Sequence, residues 1–400
     1  MYRLVRPLLF RLDAETAHGG GMRAASWGER LPTAVRTLFA PRLGAEAERL
    51  AQTVWGLGFR TPLGLAAGFD KNAERLAFWE ALGLGFAEIG SVTARAGRGN
   101  ARPRAFRLPA DGALVNRLGL GNEGAEAVAA RLARTPRRAG FPVVVNVAKT
   151  HSPDILGEAG VEDFRTSVRR LAPHADALVL NVSCPNTAEG KTFETPEALD
   201  ALLAAVTAEV REGGRRKERQ EGDKNSLATE DLSPSSSLLP PSRERSESPL
   251  LVKWSPPGGG GLDAGALREL VQIALGHGVA GFVATNTASD RDGLRTGRAE
   301  IDRIGAGGLS GRPVARRAEA LVRHLYRTTG GAVPLVGVGG IDSADEAYRR
   351  IRAGATLLEL YTGLVYEGPG LVRQITEGLL RRLDRDGLGS IGEAVGLDAG

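Results

Sequence analysis

The chain reads as an α/β protein: a (β/α)8 TIM barrel with a small N-terminal helical extension. Three observations lead there. Eight short runs rich in β-forming residues recur from residue 63 onward, each followed by helical periodicity. Strands alternating with helices argue for a parallel sheet, and eight such units for a closed barrel. Each run ends in small polar residues, at the strand edge where such barrels carry their function. The seventh ends in Gly337, Gly339 and Gly340, ahead of Asp342, Ser343, Ala344 and Asp345, a good helix start. Backbone N–H groups there, with those after the eighth run, form the phosphate site typical of the fold. A doubly wound open sheet is the rival, weakened because no G-x-G-x-x-G turn follows the first run.

Residues 1–45 form the extension. Val5, Leu8, Leu9 and Leu12 recur at helical spacing, with Arg3, Arg6 and Arg11 nearby. Asp13 suits the N-cap of a second helix with Glu15 in its first turn, although Gly19, Gly20 and Gly21 weaken that helix. Leu31, Val35, Leu38 and Phe39 make a third apolar set after Pro32. Two readings stand: a cap packed on the barrel, or a monotopic patch with apolar side chains in lipid and Arg at the headgroups.

Residues 46–395 form the barrel, with strands expected at 63–68, 86–93, 143–149, 177–184, 250–255, 281–287, 334–340 and 356–362. The runs 53–59 and 105–108 are expected outside it, as a floor hairpin or a lid. Residues 213–249 break the rhythm with paired glycines, a serine triplet and Pro240-Pro241. Such a stretch buries no core and is expected to be a disordered insertion; 258–261 is a second flexible loop.

With 42% hydrophobic and 25% charged residues among 400, the composition is that of a soluble globular protein. Cys184 is the only cysteine, which excludes an intrachain disulfide. The net charge of +5 is carried almost wholly by Arg, and Lys stands only at 71, 149, 191, 217, 224 and 253. A basic balance favours anionic surfaces, but no aromatic-basic interleaving or recognition helix points to nucleic acid. No stretch reaches the roughly 18 apolar residues of a spanning helix, and the N-terminus lacks a signal-peptide core.

The strand ends carry Asp70, Lys71 and Asn72; Ser91 and Thr93; Asn146 and Lys149; Asn181, Ser183, Cys184 and Asn186; Lys253; Thr285, Asn286 and Thr287; and Tyr361 and Thr362. Asn116 to Asn122 and Gly307 to Gly311 add two loops. At 181–187 an Asx-type turn and a bound ligand are both open readings. No His or carboxylate cluster reads as a metal site, and His151 and His174 are lone. Abundant amides with two or three Lys suit a planar heterocycle rich in carbonyl and N–H groups, held against a phosphorylated cofactor. An ammonium beside a flavin would stabilise its anionic reduced ring.

The segments GLAAGFDKN (64–72), NRLG (116–119), NVSCPNT (181–187), ATNT (284–287), GLSGRP (308–313) and GVGGI (337–341) together resemble the dihydroorotate dehydrogenase family, the flavin enzymes of pyrimidine synthesis. They follow the family order along nearly the whole chain. LDAETAH at 12–18 is similar to the start of the membrane-associated, quinone-using class 2, which favours the monotopic reading. The resemblance implies FMN bound by Ala67, Gly68, Ser91, Asn146, Asn181, Lys253, Thr285, Gly311, Gly340, Tyr361 and Thr362. It implies dihydroorotate or orotate bound by Lys71, Asn116, Arg117, Leu118, Gly119, Leu120, Asn181, Asn186, Asn286 and Thr287. Cys184 would be the general base, taking the C5 proton while C6 passes hydride to the flavin, which a quinone then reoxidises. A monomer lying peripherally on the cytoplasmic face of a bacterial-type cell membrane is the expected state.

The departures are specific. Class 2 members carry Ser where this chain has Cys184, a residue of the soluble class 1. A free thiol, with a pKa of about 8.5, needs less help to act as a base than a hydroxyl. Leu120 and Gly121 replace an expected Phe-Asn; 189–193 and Ser255-Pro256-Pro257 also depart. A class 1-like enzyme using fumarate is therefore an alternative. More remote ones are a phosphate-ester aldolase or lyase with Lys253 as Schiff-base amine, and a flavin- or phosphate-binding barrel without activity.

Overall fold

The computed structural model describes residues 2–183, 193–227, 247–256 and 263–400, with side chains omitted for 213–227. Cys184, Asn186 and the 257–262 loop therefore lie outside the described residues. Helices α1 (Tyr2–Leu9), α2 (Ala14–Gly28) and α3 (Pro32–Phe39) come first. A hairpin follows, β1 (Gln52–Val54) and β2 (Leu57–Phe59), and then β3 (Leu63–Leu65), α4 (Leu76–Ala81) and β4 (Phe86–Val92). The chain next makes β5 (Ala105–Leu108), β6 (Ala113–Asn116), α5 (Ala125–Arg134), β7 (Val143–Val147), α6 (Gly157–Leu171), β8 (Ala177–Asn181) and α7 (Pro196–Leu227). β9 (Leu250–Trp254), α8 (Ala264–Gly276), β10 (Gly281–Ala284), α9 (Arg298–Ile304), β11 (Gly308–Gly311), α10 (Ala315–Thr328) and β12 (Leu335–Val338) come after it. The last elements are α11 (Ala344–Arg352), β13 (Leu357–Leu360), α12 (Thr362–Glu367) and α13 (Gly370–Asp386).

β3, β4, β7, β8, β9, β10, β12 and β13 close into a barrel in chain order, every neighbouring pair parallel. These are the eight expected runs, each ending a few residues earlier at its carboxyl end than expected. The strands are buried on both faces, which is why they read as continuous apolar runs. Phe86, Val144, Val179, Leu251, Val283, Val336 and Leu357 fill the interior. The opposite faces pack on the helices through Leu65, Ile89, Val145, Leu178, Leu180, Val252, Phe282 and Leu358.

The β1–β2 hairpin closes the floor: Phe59 and Trp55 join the interior cluster, and Trp55 Nε1 donates to the Ala280 carbonyl at 2.8 Å. The 105–108 run is instead the outer strand of an antiparallel sheet, β5–β6–β11, on the side of the strand ends. The expectation for 213–249 needs correction at its start, because α7 runs on to Leu227. Arg215, Arg216, Lys217, Glu218, Arg219, Gln220 and Glu221 are strong helix formers, and no proline interrupts before Pro234. Residues 228–246 lie outside the described residues.

Asp13 caps α2 through Oδ1, which accepts from the N–H groups of Glu15 at 3.0 Å and Thr16 at 2.9 Å. Such a cap contributes about 1 kcal/mol, and α2 runs unbroken through its three glycines. The cap helices are tied to the barrel. Tyr2 Oη donates to the Val365 carbonyl at 2.6 Å, and Arg6 to the Tyr366 carbonyl at 2.9 Å. The Arg107 guanidinium donates to the Leu9, Phe10 and Leu12 carbonyls and lies 4.7 Å from the Phe10 ring centre. Leu4, Val5, Leu8, Leu12, Trp27, Leu31 and Leu38 of the cap remain exposed. Among the described residues, no helix is long and apolar enough to cross a membrane.

Candidate active site

The strand ends converge on one concave cavity, where ligand sites of such barrels lie. It brings together Ala67, Gly68, Lys71, Ser91, Asn116, Leu118, Gly119, Leu120, Asn181, Lys253, Thr285, Asn286, Thr287, Gly311, Gly340, Tyr361 and Thr362. Two named residues do not reach it. Asn146 is fully buried behind the wall, where Nδ2 donates to Glu88 Oε1 at 2.6 Å. Arg117 faces away, donating to the Ile304 and Ala306 carbonyls and stacking on Phe106 at 4.8 Å. Successive side chains of an extended segment point to opposite sides, so Asn116 facing the cavity turns Arg117 out.

A relay of amides and hydroxyls rims one side. Asn181 Nδ2 donates to Ser91 Oγ at 3.1 Å, and Asn286 Nδ2 donates to Asn181 Oδ1 at 3.0 Å. The same Asn286 nitrogen reaches the Ser183 carbonyl and hydroxyl, both at 3.1 Å, and Ser183 Oγ donates to the Lys253 carbonyl at 2.9 Å. These bonds fix the orientation of Asn181 and Asn286. Thr287 Oγ1 is buried without a hydrogen-bond partner among the described residues, an unmet polar group at the cavity wall.

The loop after β3 is held by Asp70, whose carboxylate accepts from the Glu74 and Arg75 N–H groups at 2.8 Å each and from Trp79 Nε1 at 3.0 Å. That clamp presents the next residue, Lys71, to the cavity. Burial, reinforced by Arg104, lowers the Lys71 pKa to about 8. Lys253 is different. Burial works against its charge, but the Glu88 and Glu359 carboxyls hold its pKa above the ordinary lysine value. Lys149, also at a strand end, points elsewhere, donating to the Thr150 carbonyl at 3.1 Å.

The opposite end is a glycine cradle. Gly340 has φ 76°, and a Cβ there would lie 2.5 Å from Ala315 Cβ. At Gly311, φ is 97° and a Cβ would meet the Gly112 carbonyl at 2.4 Å. Only glycine lets the backbone come this close. Gly339 and Gly340 form the cavity wall at this turn, just ahead of a helix start, where backbone N–H groups can meet an anion. Behind the cradle the fully buried Arg350 holds the turn. Its guanidinium donates to the Ala315 carbonyl at 2.9 Å, Gly339 at 3.0 Å and Val338 at 3.4 Å. Ser343 then N-caps α11, as its position promised.

The cap reaches the same cavity through an aromatic chain. His18 of α2 meets the Phe69 ring edge-on at 5.0 Å, and Phe69 meets Tyr361 at 5.1 Å. Burial, then the Lys71 charge, lowers the His18 pKa. Sequence reasoning missed three buried groups around the cavity: Glu88, Glu359 and Arg350. Their signal is a charged residue inside an apolar strand or on a buried helix face. Among the described residues, no group of His, Cys, Asp and Glu could hold a metal ion.

The family model for dihydroorotate dehydrogenase matches residues 49–383. The chain is 44% identical to a protein of Deinococcus deserti named dihydroorotate dehydrogenase (quinone), covering all of both chains. It is 42% identical to one of the same name from Mycobacterium tuberculosis, over 99% of this chain and 98% of that one. The Gloeobacter violaceus relative, also so named, is 40% identical over 99% and 98%. A crystal structure of the Eimeria tenella enzyme with ferulenol superposes with a TM-score of 0.78 at 32% identity, over 96% of each chain.

Proposed function

Because this chain belongs to the dihydroorotate dehydrogenase family, we propose that its barrel cavity holds FMN and dihydroorotate together, with quinone entering beneath the helical cap. The protein oxidises dihydroorotate to orotate in pyrimidine biosynthesis with a quinone as electron acceptor. The fumarate-using alternative is not favoured, since these full-length relatives are named as quinone enzymes.

One observation carries the reading of the site: a single cavity joins a glycine cradle to an amide relay flanked by two lysines. The residues fit FMN. The N–H groups of Gly339 and Gly340, with Gly311 and Thr362 beside them, would take its phosphate. Ala67, Gly68, Ser91, Asn181, Lys253, Thr285 and Tyr361 would line its ring. When bound, FMN supplies the electron acceptor for substrate oxidation and the donor for quinone reduction.

The chain's own groups do the rest. The Lys71 ammonium would pair with the substrate carboxylate. Asn116, Asn181, Asn286 and Thr287 would bind the carbonyl and N–H edges of its ring, and Thr287 Oγ1 is ready for a partner. Leu118 and Leu120 would exclude water. Cys184 and Asn186, outside the described residues, complete the proposal as general base and substrate ligand. Lys253 does not suit Schiff-base chemistry, which needs a depressed pKa, because its carboxyl partners keep it charged.

The exposed apolar side chains of α1, α2 and α3 support peripheral membrane association, with Arg3, Arg11, Arg23, Arg30 and Arg36 among them for headgroups. The cytoplasmic face and the monomeric state belong to the same proposal. The test is orotate formation by purified protein with a quinone analogue against fumarate. Quinone turnover is expected to dominate, and faster turnover with fumarate overturns the acceptor assignment.

A further inference from the structure

Three ionisable side chains meet inside the barrel, and as ordinarily charged they do not balance. Lys253 Nζ of β9 lies 3.2 Å from Glu88 Oε1 of β4 and 3.9 Å from Glu359 Oε2 of β13. Glu88 is 0% exposed and Glu359 1%. Glu359 and Lys253 form part of the cavity wall. Glu88 Oε1 has two donors, Lys253 and Asn146 Nδ2. Glu88 Oε2 and Glu359 Oε2 have no donor among the described residues.

Among the described residues, the surroundings offer no second cation. β3, β10 and β12 carry no titratable side chain, and β7 and β8 contribute only the amides Asn146 and Asn181. Arg350, behind β12, is turned to three backbone carbonyls, and Lys71 stands on the loop above. Two ionised carboxylates facing one ammonium would bury a net negative charge, at a cost of several kcal/mol. Carboxylates sharing one site do not both ionise. A proton between them removes the excess charge and gives an orphan oxygen its donor. The directions of titration agree. Burial, the Glu88 charge and a hydrogen bond to Glu88 push Glu359 well above the carboxylate range. Burial also opposes the Glu88 charge, but Lys253 and the hydrogen bonds from Glu359 and Asn146 outweigh it and hold Glu88 low.

We propose that Glu88 and Glu359 hold one proton between them, so that a neutral Glu359 carboxyl faces the cavity beside a Lys253 ammonium balanced by Glu88 alone. This rests on the reading that the cavity holds FMN. The two carboxyls are positioning residues acting through Lys253, and each backs up the other. In E88Q, Glu359 loses the anion that keeps it protonated and ionises against Lys253. In E359Q, an amide replaces the neutral acid and still donates to Glu88. Either single variant keeps one carboxylate opposite one ammonium. Only the double variant leaves the Lys253 charge uncompensated beside the cofactor, where a cation favours the electron-rich reduced form.

The test is made on the holoenzyme in two arms. Infrared spectroscopy at neutral pH looks for the C=O stretch of a protonated carboxylic acid, and redox titration gives the FMN midpoint potential. The wild type is expected to show the acid band, and E88Q and E359Q each to lose it. The potential is expected to stay near the wild-type value in both single variants and to move positive in E88Q/E359Q. A wild type without the band, a band that survives E359Q, or single-variant shifts that add up to the double's would overturn the proposal. If the double variant does not fold, the infrared arm on the single variants decides alone. Purified protein without flavin would refute the FMN reading instead, while the infrared arm still reports the shared proton.

Discussion

Lys71 combines a charge that the substrate needs with a setting that opposes it. Its pKa is lowered to about 8 by burial, then by Arg104, so the ammonium dominates below that pH and is lost above it. Orotate, an anion, requires the charged form. Its affinity is therefore expected to be level below about pH 7 and to fall as pH rises through about 8, where the Lys71 charge is lost. Fluorescence titration across that range checks the sign. Lys71→Ala should weaken orotate binding by about 10- to 150-fold, the roughly 1.5–3 kcal/mol of a hydrogen bond to a charged group. Cys184→Ala should slow flavin reduction by about 10²–10⁴-fold, the usual share of a general base, while FMN stays bound. Rapid-mixing kinetics measures it, and an unchanged rate would remove the base assignment. Cys184→Ser should keep activity with a shifted pH profile.

At the scale of elements, the turn from β12 into α11 depends on Arg350 as much as on its glycines. Arg350→Met keeps the bulk and removes three hydrogen bonds to loop carbonyls. It should cost about 1.5–3 kcal/mol in urea unfolding and weaken FMN retention, since Gly339 and Gly340 lose their support. Full retention with lowered stability would limit Arg350 to the fold. The barrel strands were legible because burial on both faces leaves a continuous apolar run. β6 and β11 were not: ALVN and GLSG are short, and β11 finds its partner only across the fold, Gly308 opposite Asn116. Arg117 was expected at the site as part of the NRLG motif that carries the resemblance, and alternation sends its side chain outward. Glu88, Lys253 and Glu359 stand far apart in sequence, and only the closed strand order brings them together.

At the scale of the whole molecule, the cap joins the barrel's cavity to an exposed apolar surface. Leu4 is 81% exposed and Leu8 61%, so Leu4→Glu/Leu8→Glu should leave the fold intact. It is expected to reduce sedimentation with anionic vesicles and turnover with a membrane quinone, and to spare turnover with a soluble quinone analogue. Equal loss with both acceptors would make the cap a structural element alone. Six separate motifs, spread from residue 64 to 341, made the reaction readable in the sequence, whereas the cap's route to the cavity through His18, Phe69 and Tyr361 needed the assembled chain. The central claim is that one cavity passes electrons from dihydroorotate through bound flavin to a quinone. Anaerobic absorption spectroscopy of the purified protein tests it most directly: dihydroorotate should bleach the flavin band and a quinone analogue should restore it. A protein without a flavin band, a band that dihydroorotate leaves unchanged, or one restored by fumarate and not by quinone would contradict the account.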